Sequence, residues 1–76
     1  MRYEDGTAVE LCDVVSLAGK KGRVVCILDR ELYAKGYPKS DWQHLGNGLL
    51  IDFEGSGSIH YEDGPEEDIC FVQRDR

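Results

Sequence analysis

The hydrophobic positions of this chain fall into short period-two runs separated by glycine-bearing turns, the pattern of half-buried strands. Asp5-Gly6 reads as a turn, and Thr7 to Leu11 then alternates with Val9 and Leu11 on one face. Cys12-Asp13 reverses the chain into Val14 to Leu17, where Val15 and Leu17 share a face. A second reversal is expected over Ala18-Gly19-Lys20-Lys21-Gly22, whose glycines supply positive φ without steric cost. The run Arg23-Val24-Val25-Cys26-Ile27-Leu28 is continuously apolar and β-branched after its arginine, which predicts a central strand covered on both faces and ended by Asp29-Arg30.

Residues 30–47 lose this alternation and carry Tyr33, Tyr37-Pro38 and Trp42. Ser40 is expected to cap one helical turn over Asp41 to Leu45, with Gly46-Asn47-Gly48 stopping it. Beyond lies a hairpin. A three-residue turn at Gly55-Ser56-Gly57 sets Phe53 against Ile59, Ile51 against Tyr61, Asp52 against His60 and Leu50 against Glu62. That register gathers Leu49, Ile51, Phe53, Ile59 and Tyr61 on one face. A last strand, Asp68 to Gln73, alternates Ile69 and Phe71 with Cys70 and Val72. Short strands, tight turns, one long loop and a closing strand predict an all-β domain over residues 1–76, a small five-stranded SH3-like barrel.

The opening Asp13-Val14-Val15-Ser16-Leu17, a glycine turn, then Gly22-Arg23-Val24-Val25 resembles the KOW-type start of many bacterial SH3-like domains. Their pattern is Gly-Asp-x-Val-x-Val followed by Gly-x-Val, and here Cys12 stands in place of the first glycine. The resemblance implies the fold. KOW domains that bind RNA are generally basic, which this chain is not.

Charge refines the picture. The 76 residues carry a net −6, and 41% of them are apolar, a globular rather than a disordered composition. Residues 1–46 balance seven acids with seven bases, whereas residues 47–76 hold eight acids against Arg74 and Arg76. The densest piece is Glu62-Asp63-Gly64-Pro65-Glu66-Glu67-Asp68. No apolar run approaches the ~18 residues of a membrane span and the start lacks a secretion signal, so the expected compartment is the cytoplasm. Cys12, Cys26 and Cys70 are odd in number and lack a close pair, which suits reduced thiols in small apolar roles and implies neither metal nor cofactor.

Three constellations bear on chemistry. Ser58, His60 and Glu62 share one strand face with Asp52 opposite, but next-but-one residues on a strand are roughly 6.5 Å apart, too far for a nucleophile and its base. The expectation is therefore no enzyme. Lys20, Lys21 and Arg23 form the one basic cluster, and a net charge of −6 repels nucleic acid at long range. Tyr33, Tyr37 and Trp42 suit either an aromatic plug of the barrel end or an exposed hot spot.

Met1-Arg2-Tyr3-Glu4-Asp5-Gly6-Thr7, Tyr37-Pro38 with Asp41-Trp42, Gly48-Leu49-Leu50-Ile51 and Ile59-His60-Tyr61-Glu62 together resemble a family of small, acidic bacterial proteins encoded beside polymorphic toxins of the Rhs or type VI secretion kind. That resemblance implies an immunity role, exercised by occlusion, with no catalytic residue. The expected partner is a basic toxin domain. Its expected contact surface is Tyr33, Tyr37, Trp42, Asp52, Glu54, Glu62, Asp63, Glu66, Glu67 and Asp68. The alternative is a KOW-like or Tudor-like module that takes RNA or a modified peptide through Lys20, Lys21, Arg23 and the loop aromatics.

Overall fold

A computed structural model of the chain describes residues 1–65 and 68–74. Its centre is β2 (Lys20–Ile27), which pairs antiparallel with β1 (Asp13–Leu17) on one side and β4 (Leu49–Phe53) on the other. The short β3 (Leu32–Tyr33) also pairs with β2, while β5 (Gly57–Tyr61) joins β4 and β6 (Ile69–Arg74) joins β1. The result is one six-stranded antiparallel sheet of order β5-β4-β2-β1-β6, with β3 beside β2. The expected barrel has six strands rather than five and does not close, because β5 and β6 do not pair.

The β1–β2 turn is tighter than the five residues expected. Ala18 (φ 51°) and Gly19 (φ 83°) alone make it, Leu17 facing Lys20, and two consecutive left-handed residues give the hairpin turn whose twist matches its strands. Strand β2 therefore resumes at Lys20. Its run Val24–Ile27 is buried throughout, as the continuous apolar stretch implied. A bulge against β4 between Val24 and Cys26 breaks the alternation, sending Val24 and Ile27 to one face and Val25 and Cys26 to the other.

Both faces of the sheet are consequently used. The inner face packs Val15, Val24, Ile27, Leu49, Ile51, Phe53, Tyr61 and Ile69 with Tyr3 and Val9. On the outer face Val25, Cys26, Leu28 and Leu50 lie beneath Tyr33, Ala34, Tyr37, Trp42 and Leu45. The long loop is thus a cover.

Two elements differ from expectation near the termini of their runs. Thr7 to Leu11 is not a strand; residues 1–9 instead form an arm with one Arg2–Ala8 bridge, in which Tyr3 N–H donates to Thr7 and Val9 N–H to Met1. The Asp5 carboxylate accepts the Thr7 N–H at 2.8 Å, a local bond that competes with a ladder. Cys12 adopts φ 70°, the left-handed backbone glycine favours, and turns the chain into β1. In the loop, α1 (Lys39–Trp42) starts before Ser40, which caps nothing. The Pro38 carbonyl accepts the Asp41 N–H at 3.0 Å, a 3₁₀ turn follows over Gln43–Leu45, and Gly46 at φ 85° ends it.

The β4–β5 hairpin is slipped by two residues from the expected register. Glu54-Gly55-Ser56 forms the turn, so Phe53 faces Gly57, Ile51 faces Ile59, Leu50 faces His60 and Leu49 faces Tyr61. The face survives because an even slip preserves side-chain parity. The closing strand runs Ile69–Arg74 rather than from Asp68, with Ile69 buried and Cys70 and Val72 exposed.

Candidate functional site

The expected contact residues separate into two groups. Glu54 occupies the turn before β5, Glu62 and Asp63 follow β5 directly, and Asp68 precedes β6; all four are exposed. Glu66 and Glu67 lie outside the described residues. The ion pairs seen among the described residues join Lys39 to Glu31 and Arg74 to Glu10 and Asp13, and none uses these four carboxylates. Asp52 is half-buried on the outer face, opposite Arg23 of β2 and Ser58 of β5.

Tyr33, Tyr37 and Trp42 are half-buried over the outer cluster. The Tyr37 and Trp42 rings meet at 5.8 Å between centroids and 41° between planes, a packing contact above Cys26 and Leu50 rather than a ring of aromatic walls around a hollow. At the margin of this cover runs a cleft of about 420 Å³ whose wall includes Tyr37, Lys21, Arg23, Lys35, Asp52 and Glu54. It brings Tyr37 together with both outer-face acids. It also adds Lys35, which sequence reasoning missed because the loop lacks a period that would place it.

The serine–histidine set does not assemble. Asp52 faces Ser58 rather than His60, and His60 Nε2 lies 2.7 Å from the Asn47 carbonyl oxygen. A carbonyl only accepts, so Nε2 carries the hydrogen and donates it there. Cys26 is buried, and burial raises its thiol pKa; Cys12 is half-buried and Cys70 exposed, so the small-apolar-residue reading fails for Cys70. Among the described residues no three His, Cys, Asp or Glu side chains gather to hold a metal ion, and no helix is long and apolar enough to cross a membrane.

One buried polar cluster was invisible in the sequence. Asp13, completely buried, accepts from Tyr3 Oη at 2.8 Å, from the Glu10 N–H at 2.9 Å and from Arg74 Nε at 2.8 Å. Arg74 also donates to the Ala8 carbonyl, pairs with Glu10 at 3.1 Å and lies over the Phe71 ring, which in turn packs against Tyr3. Burial, reinforced by Asp13, drives the Tyr3 phenol pKa far above its ordinary value, and the hydrogen bond to Asp13 raises that of the Arg74 guanidinium. This is a clamp joining the N-terminal arm, β1 and β6. Its Asp13–Arg74 partners stand 61 residues apart, so no local pattern announces it.

No family model, curated protein or solved structure matches the chain.

Proposed function

We propose that this chain is a non-catalytic protein-binding module, an immunity protein that neutralises a basic toxin domain by occlusion. The observation that carries this reading is the placement of Glu54, Glu62, Asp63 and Asp68, exposed at both ends of β5 and before β6, and outside the ion pairs seen among the described residues. A domain this small buries only about 60% of its unfolded surface and has little stability to lose, so like charge held on one side is costly. Glu54 and half-buried Asp52 share a cleft with half-buried Tyr37, which sets steering charge next to apolar contact area, as a partner surface does.

The direct test is co-expression with a basic toxin domain, sought first among the genes that neighbour the one for this chain. Restored growth, and an association slowed about tenfold or more at low salt by Glu62→Lys with Asp63→Lys and Asp68→Lys, are the expected results. Association indifferent to those charges and to salt would contradict the assignment.

One observation favours a second reading, a KOW-like or Tudor-like module: Lys21, Arg23, Lys35 and Tyr37 share a cleft. Asp52 and Glu54 stand in the same cleft and offset its positive charge, and Lys20 Nζ is engaged by Ser56 Oγ at 2.6 Å. Filter binding at low salt separates the two. RNA retention abolished by Lys20→Ala with Lys21→Ala would replace the immunity reading.

A further inference from the structure

Strand β5 ends the sheet, and among the described residues its backbone is paired on one side only. Peptide groups along a strand point alternately to its two neighbours. Glu54 N–H donates to the Lys21 carbonyl and Leu28 N–H to the Gly48 carbonyl, so the even-numbered residues of β4 turn their peptide groups toward β2 and Leu49, Ile51 and Phe53 turn theirs toward β5. In the β4–β5 register these face Tyr61, Ile59 and Gly57. The N–H and C=O groups of Ser58 and His60 therefore point away from the sheet, and among the described residues none meets them.

The side chains tell the same story. Ile59 lies on the core face yet remains 38% exposed, because among the described residues no strand continues the sheet beyond it. Natural edges are guarded by proline, lysine, bulges or inward charge. Strand β5 has none of these, and its pairing with β4 runs without a bulge. Strand β6, at the other end, carries a bulge against β1 between Val14 and Val15 and is held by Arg74.

We infer that β5 receives an extended strand of the partner, which continues the sheet through the backbone of Ser58 and His60, sets an apolar side chain on Ile59 and places basic residues against Glu54 at one end and Glu62 and Asp63 at the other. This rests on the protein-binding reading and specifies how the binding is made. A second copy is the obvious rival occupant. Antiparallel β5–β5 pairing, however, brings the Glu54 end of one chain to the Glu62-Asp63 end of the other, acid on acid at both ends, between chains of net charge −6. Charge thus selects a basic strand over self-pairing.

The probe is a synthetic peptide alternating valine with threonine and bearing two lysines at each end, titrated into the isotopically labelled full chain and followed by amide NMR. Expected are shifts of the Ser58 and His60 amides, at least tenfold slower hydrogen exchange at both, no response to the same peptide with glutamate ends, and at least tenfold weaker binding by Ser58→Pro. That substitution removes an outward N–H only; if it fails to fold, the exchange result in the unsubstituted chain decides alone. Shifts confined to the cleft at Lys21, Tyr37 and Asp52, with Ser58 and His60 unprotected, would overturn the edge assignment and leave the protein-binding reading standing. Concentration-dependent protection of Ser58 and His60 without peptide would make a second copy the occupant and overturn the basic strand. Absence of any response to the lysine peptide would overturn the edge assignment as well, whereas failure of the protein-binding reading shows separately, as RNA retention in the filter assay.

Discussion

The two ends of the sheet are built differently. At the β6 end Asp13, Arg74, Glu10 and Tyr3 neutralise one another across three segments, one of the carboxylates fully buried. At the β5 end the acids Glu54, Glu62 and Asp63 remain exposed, and among the described residues the strand pairs only with β4. Charge that is paired and desolvated fixes structure, whereas charge left in water at an unguarded edge is available to a partner. Between these ends the barrel stays open, since β5 and β6 do not pair among the described residues.

The largest expected effect breaks the locked end. Asp13→Ala leaves the Tyr3 hydroxyl, the Glu10 N–H and Arg74 without their acceptor, and should cost about 3 kcal/mol in urea denaturation. A loss below about 1 kcal/mol would erase the distinction between the two ends. Next comes a pair on the open strand. Ile59→Pro removes a ladder N–H and should cost about 3 kcal/mol, while Ser58→Pro, one residue away, removes an outward N–H and should cost under about 1 kcal/mol. Equal losses would mean that both sides of β5 are engaged.

Gly48 sharpens how β5 is seated. It holds φ 91°, and a Cβ there would collide with the Tyr61 carbonyl and the Glu62 backbone, so Gly48→Ala should cost about 2 kcal/mol or more and loosen the β4–β5 pairing. The smallest effect is alkaline. Because the folded state raises the Tyr3 pKa above its ordinary 10.0, its neutral form supplies stability that is intact below pH 10 and lost as pH climbs beyond it. Tyr3→Phe should cost about 1 kcal/mol at neutral pH and flatten the decline above pH 10, which denaturation at several pH values would record.

Much of this architecture is legible in the chain. The apolar run 24–27 lies in the central strand, which stops one residue short of expectation because Leu28–Arg30 turns into a 3₁₀ helix, and Gly46 ends the helical segment as its sequence position suggests. The hairpin face is legible but its register is not. Period two fixes which side chains point inward and is silent about even slips, and Gly55 and Gly57 both suit a left-handed turn position. Thr7 to Leu11 alternates like a strand, yet Asp5 and the left-handed Cys12 fix a compact arm instead. Of the expected acids, Glu54, Glu62, Asp63 and Asp68 are exposed and Asp52 is half-buried. The cleft and the clamp escape because Lys35 and Arg74 meet their surroundings through distant chain crossings, which no local pattern encodes.

Amide hydrogen exchange of the free chain tests the contrast between the two ends most directly. Ile59 and Tyr61, bonded into the β4 ladder, should exchange about 100-fold or more slowly relative to Ser58 and His60, which lie between and before them on the same strand. Protection of Ser58 and His60 equal to that of Ile59 in the dilute free chain would show that β5 is not an open edge.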